Sequence, residues 1–204
     1  MKIYKVLFLF PVLLFQFISC DSSKKVEEKK LPNVVFILAD DMGYGDPSCY
    51  NPNSKIKTKN IDALAADGMM FLDAHSPAAW CVPSRYGLIT GRYPAREKMN
   101  WRERSLISNS QETLATLFKK NGYKTACVGK WHLGFDNLNW NQPSENDILH
   151  GGPIEKGFDF FFGMHASLDI PPYFYIENNK LVEKATEMVG DNASVDATSY
   201  ISGA

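Results

Sequence analysis

The sequence predicts an α/β fold, a mostly parallel central sheet flanked by helices. Three observations predict it. Apolar runs of strand length alternate with helix-period segments from Asn33 to Gly129. The residues able to do chemistry stand just past the ends of the predicted strands, where open α/β sheets form their sites. The composition suits a globular domain: 45% of the 204 residues are hydrophobic and 13% aromatic, which excludes a disordered tail or a collagen-like fibre. Lys plus Arg number 22 against 23 Asp plus Glu, a net charge of −1, which excludes a nucleic-acid binder relying on bulk positive charge. Four cysteines are too few for a disulfide scaffold.

The N-terminus reads as an address. Lys2 and Lys5 precede a 13-residue apolar run, Val6 to Ile18, interrupted by Pro11 and Gln16. A spanning helix needs about 20 apolar residues, so residues 1–20 are expected to be a signal peptide rather than a membrane span. Ser19-Cys20 at its end is similar to a bacterial lipoprotein box, in which Cys20 becomes the lipidated first residue; ordinary cleavage near Ser19 is the other reading. Residues 21–31 (DSSKKVEEKKL) are a polar linker with too little apolar surface to offset ordering entropy. The protein is therefore expected to be exported, periplasmic or at the cell surface, and to meet a membrane only through the signal or a lipid on Cys20. Cys49, Cys81 and Cys127 remain, an odd number, so at least one lacks a partner within the chain.

Residues 32–204 form the body. Asn33–Ala39 is a continuous apolar run, expected as a central strand buried on both faces. Asp40-Asp41 and a Gly/Pro-rich loop follow it. Asn60–Gly68 predicts a short helix with Ile61, Leu64 and Ala65 on one face and Gly68 as its stop. Met69–Ala74 predicts a second strand, and Ser84–Thr90 a helix beginning just after Pro83. Ser108-x-x-Gln111 matches a capping box opening a helix with Leu114, Leu117 and Phe118 on one face, ended by Gly122. Tyr123–Gly129 predicts another buried strand. Beyond Phe135, Asn, Pro and Gly become frequent and the pattern loosens.

Three features at strand ends carry chemistry. Asp40-Asp41 offers two carboxylates on an irregular turn, suited to a hard divalent cation, although Asp after a strand commonly just caps a loop. Cys81-Val82-Pro83-Ser84-Arg85 places a thiol at a helix start, where free N–H groups and the helix dipole favour an anion, and Arg85 adds a planar cation. Gly129-Lys130-Trp131-His132 puts a cation and a proton-transfer group two residues apart, on one side of an extended backbone. Each has a bland reading alone. Together they make a site for a sulfate or phosphate ester.

The C-x-P-S-R core running on to Thr90-Gly91-Arg92 resembles the type I sulfatase signature. PNVVFILADDMGYGD (Pro32–Asp46) and GKWHLG (Gly129–Gly134) are similar to the family's other two landmarks, in the right order, and Ser167–Asn178 (SLDIPPYFYIEN) is similar to arylsulfatase-type sequence. The resemblance implies an alkaline-phosphatase-like α/β fold and sulfuric ester hydrolysis. It implies that Cys81 is oxidised by a separate formylglycine-generating enzyme to formylglycine, with Pro83 and Arg85 guiding that modification. The hydrated aldehyde attacks sulfur with one hydroxyl and expels sulfate through the second, which a thiol cannot do. Arg85 would steady the hydrated aldehyde, and Lys130 would hold the sulfate. His132 would assist the proton step, and Ser167 matches a position near the substrate. Asp40 and Asp41, with the modified Cys81, would bind Ca²⁺, Mg²⁺ being the other choice. The implied substrate is a sulfate ester such as a sulfated glycan; no nucleic acid is expected.

Sulfatases are longer chains whose further metal and leaving-group residues come later. Asp191-Asn192 is not the family's second metal pair, because it follows Glu187–Gly190 rather than an apolar strand. These 204 residues are therefore expected to be a fragment carrying part of a site. Two other readings stand beside the sulfatase: a phosphate or phosphonate ester hydrolase of the same fold, against which Ser84 in the C-x-P-S-R motif counts, and a non-catalytic surface lipoprotein remnant.

Overall fold

The structure, a computed structural model, describes residues 31–139, 143–183, 187–188 and 200–201. The predicted signal with Cys20, nearly all of the linker, and Asp191-Asn192 lie outside the described residues. The chain divides into two compact units, residues 1–39 and 40–204.

In the first unit, residues 31–39 form no strand. Val35 is 83% exposed and Ile37 81%. This corrects the buried central strand expected at Asn33–Ala39. An apolar run becomes a strand only when a neighbour completes its backbone hydrogen bonds, and no described residue does so here.

The second unit opens with helix α1 (Lys59–Asp67), stopped at Gly68 as expected. Asp62, in its first turn, accepts hydrogen bonds from Ser48 Oγ at 2.6 Å, the Cys49 N–H at 2.9 Å and Thr58 Oγ1 at 2.9 Å, which tie the helix to the preceding loop. The expected inward face is open, with Leu64 exposed and Ala65 half-buried. Met69–Ala74 is not the predicted strand either. It has no ladder partner, and Phe71 and Leu72 are exposed.

Helix α2 (Cys81–Thr90) begins three residues before its predicted start. Pro83 is thus its third residue, which is tolerated because the first-turn N–H groups have no intrahelical acceptor anyway. Gly91 ends it with φ +66° and donates its N–H to the Gly87 carbonyl at 2.8 Å. Helix α3 (Leu114–Lys120) is capped by Thr113 and Thr116, not by Ser108 and Gln111. The Ser108 segment is instead a turn closed by the Gln111 N–H on the Ser108 carbonyl. Thr113 wins because its hydroxyl also donates to the Lys156 carbonyl at 2.7 Å, a buried tertiary bond invisible to local pattern. Ala115 is the buried residue of α3, whereas Leu117 is exposed. Gly122, φ +83°, follows the helix end as expected.

Strands β1 (Ala126–Lys130) and β2 (Phe160–Met164) pair in parallel, Cys127 opposite Phe161 and Gly129 opposite Gly163. β3 (Ile176–Glu177) and β4 (Lys180–Leu181) extend the sheet antiparallel in the order β1-β2-β3-β4. A separate two-stranded sheet joins β5 (Glu187–Met188) to β6 (Tyr200–Ile201). β1 is not buried on both faces. Val128 is 74% exposed while Cys127 packs against the core. Gly163 lets β1 and β2 approach closely, since a Cβ there would lie 1.8 Å from the Gly129 carbonyl oxygen, while Gly129 takes a φ of +105°.

The core lies on one face of this sheet. Phe161, Phe174, Ile176 and Leu181 pack with Trp131, Leu133 and Phe135 from the segment after β1, and with Tyr86 of α2. Each fully buried large side chain stabilises the fold by about 1.5–3 kcal/mol. The core therefore fixes α2 against the carboxyl end of β1. Lys156 is buried here too. It donates to Asn109 Oδ1, and burial holds its ammonium pKa below the usual lysine value.

α3 is strapped to the sheet by Asp159. Its carboxylate pairs with Lys119 at 2.7 Å and accepts the Thr125 N–H at 3.0 Å, and these contacts hold its pKa down to about 2. A depressed carboxyl pKa contributes stability above the unfolded value, lost as pH falls through the folded one. Asp159→Asn should lower Tm at pH 7, and thermal melts should show the gap to wild type closing as pH falls from about 4 to about 2.

Candidate active site

Parallel strands present their carboxyl ends together, and here those ends meet the N-terminus of α2. β1 ends at Lys130. The next two N–H groups run on beside β2's exit, Trp131 donating to the Met164 carbonyl at 3.0 Å and His132 to the His165 carbonyl at 2.8 Å. His132 then turns with φ +56°, so the extended alternation expected to put Lys130 and His132 on one side ends at Lys130. Their side chains serve two neighbouring clusters.

The first cluster is ionic. Asp40 Oδ2 accepts from Lys130 Nζ at 2.8 Å and Asp40 Oδ1 from Arg85 Nη2 at 3.3 Å, while Arg85 Nη1 donates to the Lys130 carbonyl at 2.8 Å. Lys130 and Arg85 retain only 14% and 12% of their side-chain exposure. The Lys130 ammonium, and then the Arg85 charge, hold the Asp40 carboxyl below its ordinary pKa against the opposing effect of burial. Asp41 is exposed, with φ +57°.

The second cluster surrounds a cavity of about 650 Å³ lined by Cys81, Val82, Pro83, Trp101, His132 and Asp169, among others. Cys81 is the first residue of α2, half-buried, with a free thiol. Arg85 stands one turn on, at i+4, so Cys81 and Arg85 share a helix face. His132 is 1% exposed, and neither ring nitrogen has a hydrogen-bond partner among the described residues. Trp101 meets the ring edge-on, centroids 4.3 Å apart. Burial, and then the charges of Lys130 and Arg85, push the His132 pKa down to about 3, so the ring is neutral at pH 7. A buried neutral imidazole with both nitrogens unsatisfied on a cavity wall is poised for a ligand's polar atoms.

Other expected residues fall nearby. Ser167 hydrogen-bonds Asp169, whose carboxyl pKa it lowers, and Asp169 and Ile170 rather than Ser167 line the cavity. His165 is buried beside Phe174, its Nε2 2.5 Å from the Pro172 carbonyl, and burial lowers its pKa to about 4. Cys127 is near Arg85, but burial raises its thiol to about 11, leaving it protonated. Cys49, Cys81 and Cys127 are all free. Sequence pattern does not single out Trp80, Met99, Trp101, Glu97 or Asp169 as cavity wall. For Glu97, Met99 and Trp101 the local signal is the concentration of charged residues between Arg92 and Arg104.

The residues present do not fit a complete calcium site. Among the described residues no group of three or more His, Cys, Asp or Glu side chains is placed to hold a metal ion. Both Asp40 oxygens are engaged by cations, and two carboxylates fall short of the roughly six to eight oxygens Ca²⁺ takes.

A cysteine at a helix N-terminus, a buried neutral histidine and a lysine–arginine pair gather at the carboxyl ends of parallel strands, the place where α/β folds build their sites. The family model described as Sulfatase matches residues 32–202, and the chain belongs to that family. Among relatives, an N-acetylgalactosamine-6-O-sulfatase of Bacteroides thetaiotaomicron is 36% identical over 160 residues, covering 76% of this chain and 31% of that protein. The steryl-sulfatase of Homo sapiens is 38% identical over 65% of this chain and 23% of its own length, and the arylsulfatase G of Rattus norvegicus is 36% identical over 83% and 30%. A solved structure from work on glycosaminoglycan metabolism by Bacteroides thetaiotaomicron superposes with a TM-score of 0.67 at 36% identity, covering 78% of this chain and 35% of that one. The fold is thus the alkaline-phosphatase-like fold of the sulfatases. The chain spans about a quarter to a third of the length of the curated relatives it matches.

The incomplete ligand set has a direct consequence. Calorimetric titration of the 204-residue chain with Ca²⁺ should show no site tighter than about 1 mM; a micromolar site would contradict the picture of an Asp40 carboxylate already occupied by Lys130 and Arg85.

Proposed function

We propose that this chain is the nucleophile-bearing part of a sulfuric ester hydrolase acting on a sulfated glycan. The observation that carries the reading is the placement of Cys81, the first residue of α2 and a cavity wall residue, with Arg85 one turn on and the buried, unpartnered His132 across the same cavity. Formylglycine made from Cys81 would supply, as its hydrate, the oxygen nucleophile and the second hydroxyl that releases sulfate. Cys81 at the helix start suits this role, because the free N–H groups of the first turn favour an anion there. Arg85 and Lys130 provide two cations whose positions Asp40 fixes, so little reorganisation is needed as negative charge develops on the ester. His132, neutral, is able to donate a hydrogen bond from one ring nitrogen and accept one at the other in the cavity. Asp41, exposed beside Asp40, is left to offer its oxygens to a divalent cation.

The cavity's walls support a saccharide as the organic part. Trp80, largely exposed, offers an aromatic face for the apolar side of a sugar ring, and Glu97 and Asp169 present carboxylates that accept from hydroxyls. Two similar proteins point the same way by name: the N-acetylgalactosamine-6-O-sulfatase, and a crystal structure of Ps i-CgsB with k-i-k-neocarrahexaose, which matches with a TM-score of 0.55 at 26% identity. The basic start and apolar run of residues 1–18 support export, with lipidation at Cys20 as the anchor.

Co-expression with a formylglycine-generating enzyme should lower the mass of the peptide containing Cys81 by about 18 Da, sulfur and two hydrogens being lost and oxygen gained. An unmodified thiol under those conditions would contradict the proposal. In the full-length gene product, Cys81→Ala should abolish sulfate release from an aryl sulfate while leaving the melting temperature within a few degrees of wild type; retained turnover would refute the assignment.

A further inference from the structure

We infer that a basic groove adjoining the Cys81 cavity binds a second anionic group, a sulfate or carboxylate, on a sugar next to the one whose ester is cleaved. The inference rests on the glycan reading above and names the substrate class more narrowly: an oligosaccharide with anionic groups on adjacent residues.

Two further cavities continue from the first. One of about 240 Å³ is lined by Arg92, Arg96 and Glu97, and one of about 340 Å³ by Arg92, Arg104, Ser108, Ser110 and Gln111. Glu97 lines all three cavities and Arg92 lines both of the new ones, so the three adjoin one another. Their far part is the reverse of the first in character, polar and cationic where the Cys81 cavity is walled by tryptophan, methionine and proline. Arg92, Arg96 and Arg104 form no ion pair with any described acidic residue, Glu97 included. The two cations on the Cys81 side, Arg85 and Lys130, are by contrast both matched to Asp40. Between residues 92 and 104 the chain carries Arg92, Arg96, Lys98, Arg102 and Arg104 against Glu97 and Glu103, in a protein whose net charge is −1. This excess is local, and three of its five cations, Arg92, Arg96 and Arg104, line the two further cavities.

The groove's framework is fixed. Pro94 is buried at the head of a 3-10 turn spanning Pro94–Arg96, and the Leu106 N–H donates to the Leu133 carbonyl at 2.9 Å, tying the segment to the loop that carries His132. A Cβ on Gly134 would lie 2.2 Å from the Arg104 carbonyl, so that segment sits hard against the active-site loop. Guanidinium groups match sulfate and carboxylate oxygens in bidentate geometry, and the Ser108, Ser110 and Gln111 side chains add neutral hydrogen-bonding capacity. Glu97 at the junction disfavours an anion there. It thereby spaces the two anionic groups, one at Cys81 and the other beyond Glu97 among the arginines.

The test is equilibrium binding to the full 204-residue chain at low ionic strength, with three probes: galactose 6-sulfate, a disaccharide sulfated on both sugars, and a monosulfated disaccharide carrying a uronate. Both disaccharides should bind about tenfold more tightly than galactose 6-sulfate, and the advantage should shrink in 0.5 M salt. Arg92→Gln combined with Arg104→Gln, exposed positions with circular dichroism as the folding check, should abolish the advantage and leave galactose 6-sulfate binding unchanged. If only the disulfated probe gains, the groove selects sulfate over carboxylate and stands in that narrower form. Equal affinity for all probes, or an advantage that survives the double substitution, would overturn the inference while leaving the glycan reading intact. Arginine-dependent binding of the disaccharides with no binding of galactose 6-sulfate would uphold the groove and count against the reading of the Cys81 cavity.

Discussion

The site depends on one carboxylate shared between two cations. Lys130 and Arg85 are nearly buried, and both would repel a neighbouring like charge in a poorly solvated place. Asp40 takes one oxygen to each, and the Arg85 guanidinium also caps the Lys130 carbonyl, so strand end, helix and preceding loop are joined at a single point. The same two charges add to burial in keeping His132 neutral. Remove the carboxylate and the cations would have to separate or take up a counter-ion. With it in place, one carboxylate faces two cations, so the point keeps a net positive charge.

Packing supports this charge geometry. The core fills one face of the sheet and draws in Tyr86 of α2 and the Trp131–Phe135 segment. That packing sets where the first turn of α2 lies relative to the end of β1, and hence where Cys81 lies relative to His132. Gly163, opposite Gly129, allows the two parallel strands to close tightly at the point where both leave the sheet for the site. The opposite face, with Val128, Phe160 and Phe162, is largely exposed, and Lys130 shares the Val128 side of β1 by strand alternation.

Chemistry is legible in the sequence where it is truly local. Gly91 and Gly122 mark helix ends because only a left-handed residue completes those turns, and the C-x-P-S-R motif announces the start of α2. The partners of Asp40 are not legible, being 45 and 90 residues away along the chain. Local pattern misplaces the α3 cap because Thr113-x-x-Thr116 lacks the acidic or amide residue that marks a capping box, and its advantage comes from a bond to Lys156. β2 escapes notice because its aromatic run has strand character only beside β1. Asn33–Ala39 and Met69–Ala74 read as strands for the converse reason: apolar pattern measures readiness to pair, and no described neighbour pairs with either. The family motifs name Cys81 and His132. The tryptophans and arginines that give the cavity and its extension their character belong to no motif, so only the folded chain brings them together.

The most direct test of the central claim is a double-mutant cycle on stability between Asp40→Asn and Lys130→Gln, repeated with Arg85→Gln. A carboxylate that fixes both cations predicts a coupling of about 1 kcal/mol for each pair, diminished but not lost in high salt. Additive effects in both cycles would contradict it, showing that the cations are held by the packing of α2 and β1 and that Asp40 is a bystander.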